Sequence, residues 1–169
     1  NLSYHASDRE TFEKLSKSNH YNEYIKGLRY IAEFDIAVFL TFVINSLNYK
    51  RIEEHVRFVN KKFPNITHFS FNFIDPTGRA LQNKDIVPRL SDSWVYIHKA
   101  VEYILKNGMT FRLERVPLCY MTGFEEYSTE ARRPILDERR ISYFAYKGKN
   151  ILVELESEYH KTEVCKHCF

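Results

Sequence analysis

Ile36-Ala37-Val38-Phe39-Leu40-Thr41-Phe42-Val43-Ile44 is the longest apolar-rich run in the chain, and Thr41 is its only polar residue. It is strand-sized, rich in β-branched and aromatic side chains, and too short to span a bilayer. Such a run reads as a strand covered on both faces, as in a parallel sheet under helices. Outward from it, the chain alternates. Before it, Tyr21, Tyr24, Ile25, Leu28 and Ile31 recur at helical spacing over about 21–34, and a short helix with Phe12 and Leu15 inward precedes them. Ser7-Asp8-Arg9-Glu10 is a capping-box pattern, with Ser7 as cap and Glu10 reaching back. After the run, Asn45-Ser46-Leu47-Asn48 forms a polar loop in which Asn48 suits a helix N-cap. Ile52, Val56, Val59 and Phe63 then mark a helix that stops at Pro64.

The cycle repeats. Ile66 to Phe73 is a strand in which His68, Ser70 and Asn72 alternate with Phe69, Phe71 and Phe73. The apolar row belongs under helices, which places the polar row on the opposite face. Ser91 or Asp92 caps a further helix with Trp94, Ile97, Val101, Ile104 and Leu105 on one face, ended by Asn107-Gly108. Thr110 to Val116 is the next strand and runs into Pro117-Leu118-Cys119. Strands and helices alternating at this period predict an α/β fold with parallel strands and right-handed crossovers. Residues 120–140 read as polar and irregular, with the charge run from Arg132 to Arg140 a solvated surface. Residues 141–155 predict a β-hairpin around Lys147-Gly148-Lys149-Asn150. The chain divides at 1–119 and 120–169.

Composition narrows the function classes. A net charge of +3 and 15% aromatics imply neither a nucleic-acid nor a membrane partner. Three cysteines in 169 residues are too few and too odd for a disulfide scaffold, and no signal peptide is evident, so the expectation is a reducing compartment, the cytoplasm. Phosphate-loop, zinc-protease and nucleophile-elbow motifs are absent.

The cysteines carry the chemistry. Cys165-Lys166-His167-Cys168 is a C-x-x-C pair whose turn can point both sulfurs at one metal. Cys119 follows the last parallel strand, where α/β folds place their sites. Three thiolates lack a fourth ligand. A further cysteine beyond Phe169 would complete an iron–sulfur cluster, whereas His160, better placed than His167 inside the turn, would complete a tetrahedral zinc site. Asn1-Leu2-Ser3-Tyr4-His5 reads as the end of a strand.

The order Phe42 to Asn48, Phe71 to Ala80, Phe111 to Met121 and Lys161 to Cys168 resembles the later βα units and cysteine-rich C-terminal extension of a radical S-adenosylmethionine enzyme. The resemblance covers essentially the whole chain and rests on the order and spacing of these segments. It implies part of a parallel (βα) barrel of the TIM type, followed by the hairpin and the cysteine-rich tail. It implies that Ser3, His5, Thr41, Asn45, Asn72 and Phe73, at strand ends, contact S-adenosylmethionine. It further implies that Cys119, Cys165 and Cys168 bind an auxiliary 4Fe-4S cluster. In such enzymes a first 4Fe-4S cluster reduces S-adenosylmethionine to give a 5′-deoxyadenosyl radical. That radical takes hydrogen from a peptide or small-molecule substrate, with electrons from a donor such as a flavodoxin or ferredoxin. The C-x-x-x-C-x-x-C loop that holds the first cluster is absent from these 169 residues. The resemblance therefore implies a fragment of a larger enzyme, inactive alone, in which the missing strands expose a sheet edge near Ile36 to Ile44. That edge is expected to pair with another chain or to be covered by the N-terminal segment. The alternative is a non-catalytic α/β binding domain with a zinc site of three cysteines and His160.

Overall fold

The computed structural model describes residues 1–135, 141–146, 149–154 and 163–167. It is an α/β fold. Strands β1 (Leu2–Ser3), β2 (Phe39–Ile44), β3 (His68–Phe73) and β4 (Thr110–Glu114) form one parallel sheet in the spatial order β1-β2-β3-β4. Helices α1 (Arg9–Ser16) and α2 (Tyr21–Ala32) connect β1 to β2, and α3 (Ile52–Lys62) connects β2 to β3. Helices α4 (Arg79–Gln82) and α5 (Leu90–Lys106) lead from β3 to β4, and α6 (Thr129–Ile135) follows. Strands β5 (Ile141–Tyr146) and β6 (Lys149–Glu154) pair antiparallel as a separate hairpin, as the sequence predicts.

Because spatial order follows chain order, right-handed crossovers bring every connecting helix to the same side of the sheet. Burial agrees. Leu40, Phe42, Ile44, Phe69, Phe71, Phe111 and Leu113 form one core with Leu28 of α2, Ile52, Val56 and Val59 of α3, and Ile97, Val101 and Ile104 of α5. All these strand residues share one face. On the other face Phe39, Thr41 and Val43 are exposed or half-exposed, as are His68, Ser70, Asn72 and Arg112. Among the described residues, the stretch 36–44 is thus covered by helices on one face only, because a single helix layer serves the sheet. Its first residues, Ile36 and Ala37, are exposed and precede the strand.

Local signals moved in several places. The N-cap of α1 is Asp8, whose carboxylate accepts from Thr11 N–H at 2.9 Å; Ser7 is engaged elsewhere. Asn48 precedes a 3₁₀ turn but makes no capping bond, because its amide is used across the strand ends. α5 begins at Leu90 behind Arg89, so Ser91 and Asp92 sit in its first turn, and Leu105 is exposed instead of joining the apolar face. Part of the expected irregular segment, Thr129–Ile135, is helical. Ser128 makes a single parallel bridge to Leu113, placing this segment against the outer edge of β4.

The opposite edge is covered by the N-terminal segment, one of the two expected outcomes. Leu2 and Ser3 pair with Leu40 and Thr41, Tyr4 N–H donates to the Thr41 carbonyl at 2.8 Å, and Val43 N–H donates to His5 Nδ1 at 3.1 Å. None of the described helices is long and apolar enough to cross a membrane.

Candidate functional site

The sheet register builds the site. In a parallel pair, aligned residues project to the same side. Phe39, His68 and Thr110 therefore form one cross-strand row of the helix-free face, and Ser3, Thr41, Ser70 and Arg112 form the next. Nearest the C-terminal strand ends, Val43, Asn72 and Glu114 are aligned, and His5 Nδ1 receives the Val43 N–H beside them. Strand alternation thus puts hydroxyls, an amide, imidazoles and charges on a half-open face, with Phe39 at its lower end, while Phe42, Phe69, Phe71 and Phe111 stay under helices.

Two kinds of polar residue occupy this region. The first kind is committed to the fold. Asn48, buried, accepts from Asn45 N–H at 2.9 Å and donates to the carbonyls of Val43 at 3.0 Å and His5 at 3.2 Å. Asn45, also buried, donates to the Val43 carbonyl at 3.1 Å and accepts from Leu47 N–H at 3.0 Å. These bonds stitch β2, its following loop and the N-terminal segment together. His5 presents an unprotonated Nδ1 to Val43, and burial lowers its pKa, so the ring stays neutral.

The second kind is uncommitted. The side chains of Ser3, Thr41, Ser70 and Asn72 make no hydrogen bond within the described residues, although they line up across the strands. Of the candidate S-adenosylmethionine contacts, Ser3, His5, Thr41 and Asn72 lie on this face. Asn45 lies at the tip of β2. The side chain of Phe73 belongs to the helix-side core, which leaves its backbone at the strand end.

Beyond the tips of β3 and β4 the chain turns sharply. Arg115 adopts φ +63°, a left-handed conformation that a residue with a Cβ rarely occupies. Its N–H donates to Glu130 Oε1 at 2.8 Å and its guanidinium meets Asp75 Oδ2 at 3.4 Å, so α6 and the loop after β3 both hold it. This residue was not singled out in the sequence, since an arginine gives no signal for positive φ. Val116 and Met121 are buried on either side of a 3₁₀ turn, Leu118–Tyr120, and Tyr120 and Phe124 pack on Trp94 and His98 of α5. Cys119 sits on that turn with its thiol exposed. Cys165, half-buried, is in a second 3₁₀ turn, Glu163–His167. Cys168 and His160 lie outside the described residues. Among the described residues, no three His, Cys, Asp or Glu side chains come together as a metal-binding group.

Behind the site, on the helix side, a second histidine missed by the sequence reading closes a buried network. His55 Nδ1 accepts from Ser7 N–H at 3.1 Å and from the Ser7 hydroxyl at 2.6 Å, which places the ring proton on Nε2. Tyr4 donates to the His55 carbonyl at 3.1 Å. Burial, with the Arg51 charge, drives the His55 pKa down to about 4. The apolar spacing of α3 hid it, because His55 occupies a core position beside Val56.

No family model, curated protein or solved structure matches the chain.

Proposed function

We propose that this chain is the later part of a radical S-adenosylmethionine oxidoreductase, with its helix-free sheet face turned to the interior of a partial (βα) barrel. The observation that carries the reading is the sheet itself. Its four parallel strands run in sequential order with the described core helices on one face, an order that a (βα) barrel shares and that supports this reading. The polar face ends at Asn45, Asn72 and Glu114, and an exposed cysteine follows the last strand.

On this reading Ser3, His5, Thr41, Asn45, Asn72 and the Phe73 backbone face S-adenosylmethionine. A peptide side chain or small molecule is the substrate, and a flavodoxin or ferredoxin the electron donor. The donor set suits an auxiliary 4Fe-4S cluster, which takes thiolates. Cys119 offers an exposed thiol on a turn anchored by Val116 and Met121, and Cys165 and Cys168 would supply two more. When bound, the cluster supplies electron transfer. The chain's own part is to orient and to exclude water. With no C-x-x-x-C-x-x-C loop in its sequence, the chain alone is not expected to cleave S-adenosylmethionine.

Anaerobic incubation with iron and sulfide tests this. The expected result is a brown chain with visible charge-transfer absorbance and matched iron and sulfide, lost in Cys119→Ala and in Cys165→Ala. A colourless chain that holds one zinc, indifferent to Cys119→Ala, would overturn it.

A further inference from the structure

We propose that Arg112 anchors a carboxylate of the substrate, held across the strands together with the hydroxyl of Ser70. This deepens the preceding reading and rests on it for the identity of the face as the substrate side.

Four observations lead there. Arg112 is exposed at the middle of β4 on the helix-free face. Unlike Arg51, Arg57 and Arg115, which meet carboxylates, it has no ion-pair partner among the described residues. Its register partner is Ser70, and the partner of Ser70 is Thr41; neither hydroxyl is used by the fold. Adjacent strands are about 5 Å apart, so an extended arginine on β4 reaches over Ser70 toward Thr41. The guanidinium fork and the aligned Ser70 hydroxyl make a row of donors, the complement of a planar carboxylate.

Charge decides which anion fits. His68, the neighbouring imidazole, adds no second cation: burial and the Arg112 charge both lower its pKa, and its Nδ1 is already 2.7 Å from Thr110 Oγ1. His5 is neutral for the reason given above. Among the described residues of this face, Arg112 is the one cation without a carboxylate partner, which matches a monoanionic carboxylate and not a phosphate dianion.

The test is a titration of the ¹⁵N-labelled chain with N-acetylglycine, inorganic phosphate and S-adenosylhomocysteine, read at the Arg112 Nε–Hε and the Ser70 amide, with the Thr41 amide reporting S-adenosylhomocysteine. N-acetylglycine is expected to shift the Arg112 and Ser70 signals saturably. Arg112→Gln should weaken binding by about tenfold or more, Arg112→Lys by less, and Arg57→Gln not at all. S-adenosylhomocysteine should bind alongside N-acetylglycine. Binding unchanged in Arg112→Gln, tighter binding of phosphate than of the carboxylate, or displacement of N-acetylglycine from Arg112 by S-adenosylhomocysteine would each overturn the proposal. Iron and sulfide loading at Cys119 is read separately and should be unaffected by Arg112→Gln. A chain that takes the cluster but not the carboxylate therefore refutes this inference alone.

Discussion

The backbone N–H of Val43 donates to the ring nitrogen Nδ1 of His5 at 3.1 Å, so a side chain continues the ladder where β1 ends. β1 contributes only Leu2 and Ser3, and without His5 the upper half of β2 would present an open edge. The same residue therefore lies on the candidate binding face and closes the sheet.

His5→Ala should cost about 1–2 kcal/mol, the penalty of leaving one partly buried donor unpaired. It should also promote self-association through β2. Urea melts give the first quantity and sedimentation velocity over a concentration series the second. An unchanged midpoint together with a monomer at all concentrations would show that the ladder bond contributes nothing.

His55 makes the fold sensitive to acid. Its pKa is about 4 in the folded chain against 6.5 for the free side chain, so the unfolded state binds the proton more tightly. Stability contributed by the neutral ring is complete above pH 6.5 and falls as the pH drops toward 4. Over that interval the loss is roughly 3 kcal/mol from His55, with a further share from His5, whose pKa is lowered in the same sense. In His55→Phe the pH slope should largely disappear, at the expense of a lower plateau because Ser7 loses its acceptor. Thermal midpoints between pH 4 and 7.5 check this; a slope identical to that of the native chain would refute it.

Much of the fold was legible. The alternation of His68, Ser70 and Asn72 with phenylalanines states which face is apolar, and the βα period states that the strands are parallel. The uniform apolar run 36–44 misled, since composition cannot tell a strand covered twice from one covered once; the neighbouring strand's alternation was the better guide. Capping was harder. Ser7 and Asp8 are both competent caps, and the choice fell to Asp8 because His55, distant in sequence, recruits Ser7. Asn48 likewise abandons a cap to bind Val43 and His5. Side chains that answer to partners far along the chain leave no local pattern, and Arg115 is the clearest instance.

Arg115 separates strain from charge. At φ +63° a non-glycine residue costs about 1 kcal/mol, and the exposed pair with Asp75 returns at most a comparable amount. Arg115→Gly should therefore leave stability within about 1 kcal/mol of the native chain, whereas β-branched Arg115→Val should lower it by about 1–3 kcal/mol. Chemical denaturation compares them directly. Equal effects of the two substitutions would mean that the backbone turn before Cys119 is not strained.

Phe71 tests the single helix layer. It is buried beneath α3 and α5 with its ring 5.8 Å from that of Phe42, so Phe71→Ala should cost about 3–5 kcal/mol. Ser70→Ala, one residue away on the open face, should cost under about 0.5 kcal/mol. Comparable losses at the two positions would contradict a sheet covered on one side.

The central claim is that the helix-free face of this sheet is the binding face. The most direct measurement is the ¹H–¹⁵N spectrum of the chain as S-adenosylhomocysteine is added. The account predicts saturable shifts at Thr41, Val43 and Asn72, attenuated in Asn72→Ala, with Val59 and Ile104 on the helix side unmoved. Shifts confined to the helix side, or no saturable shift on the open face, would contradict it.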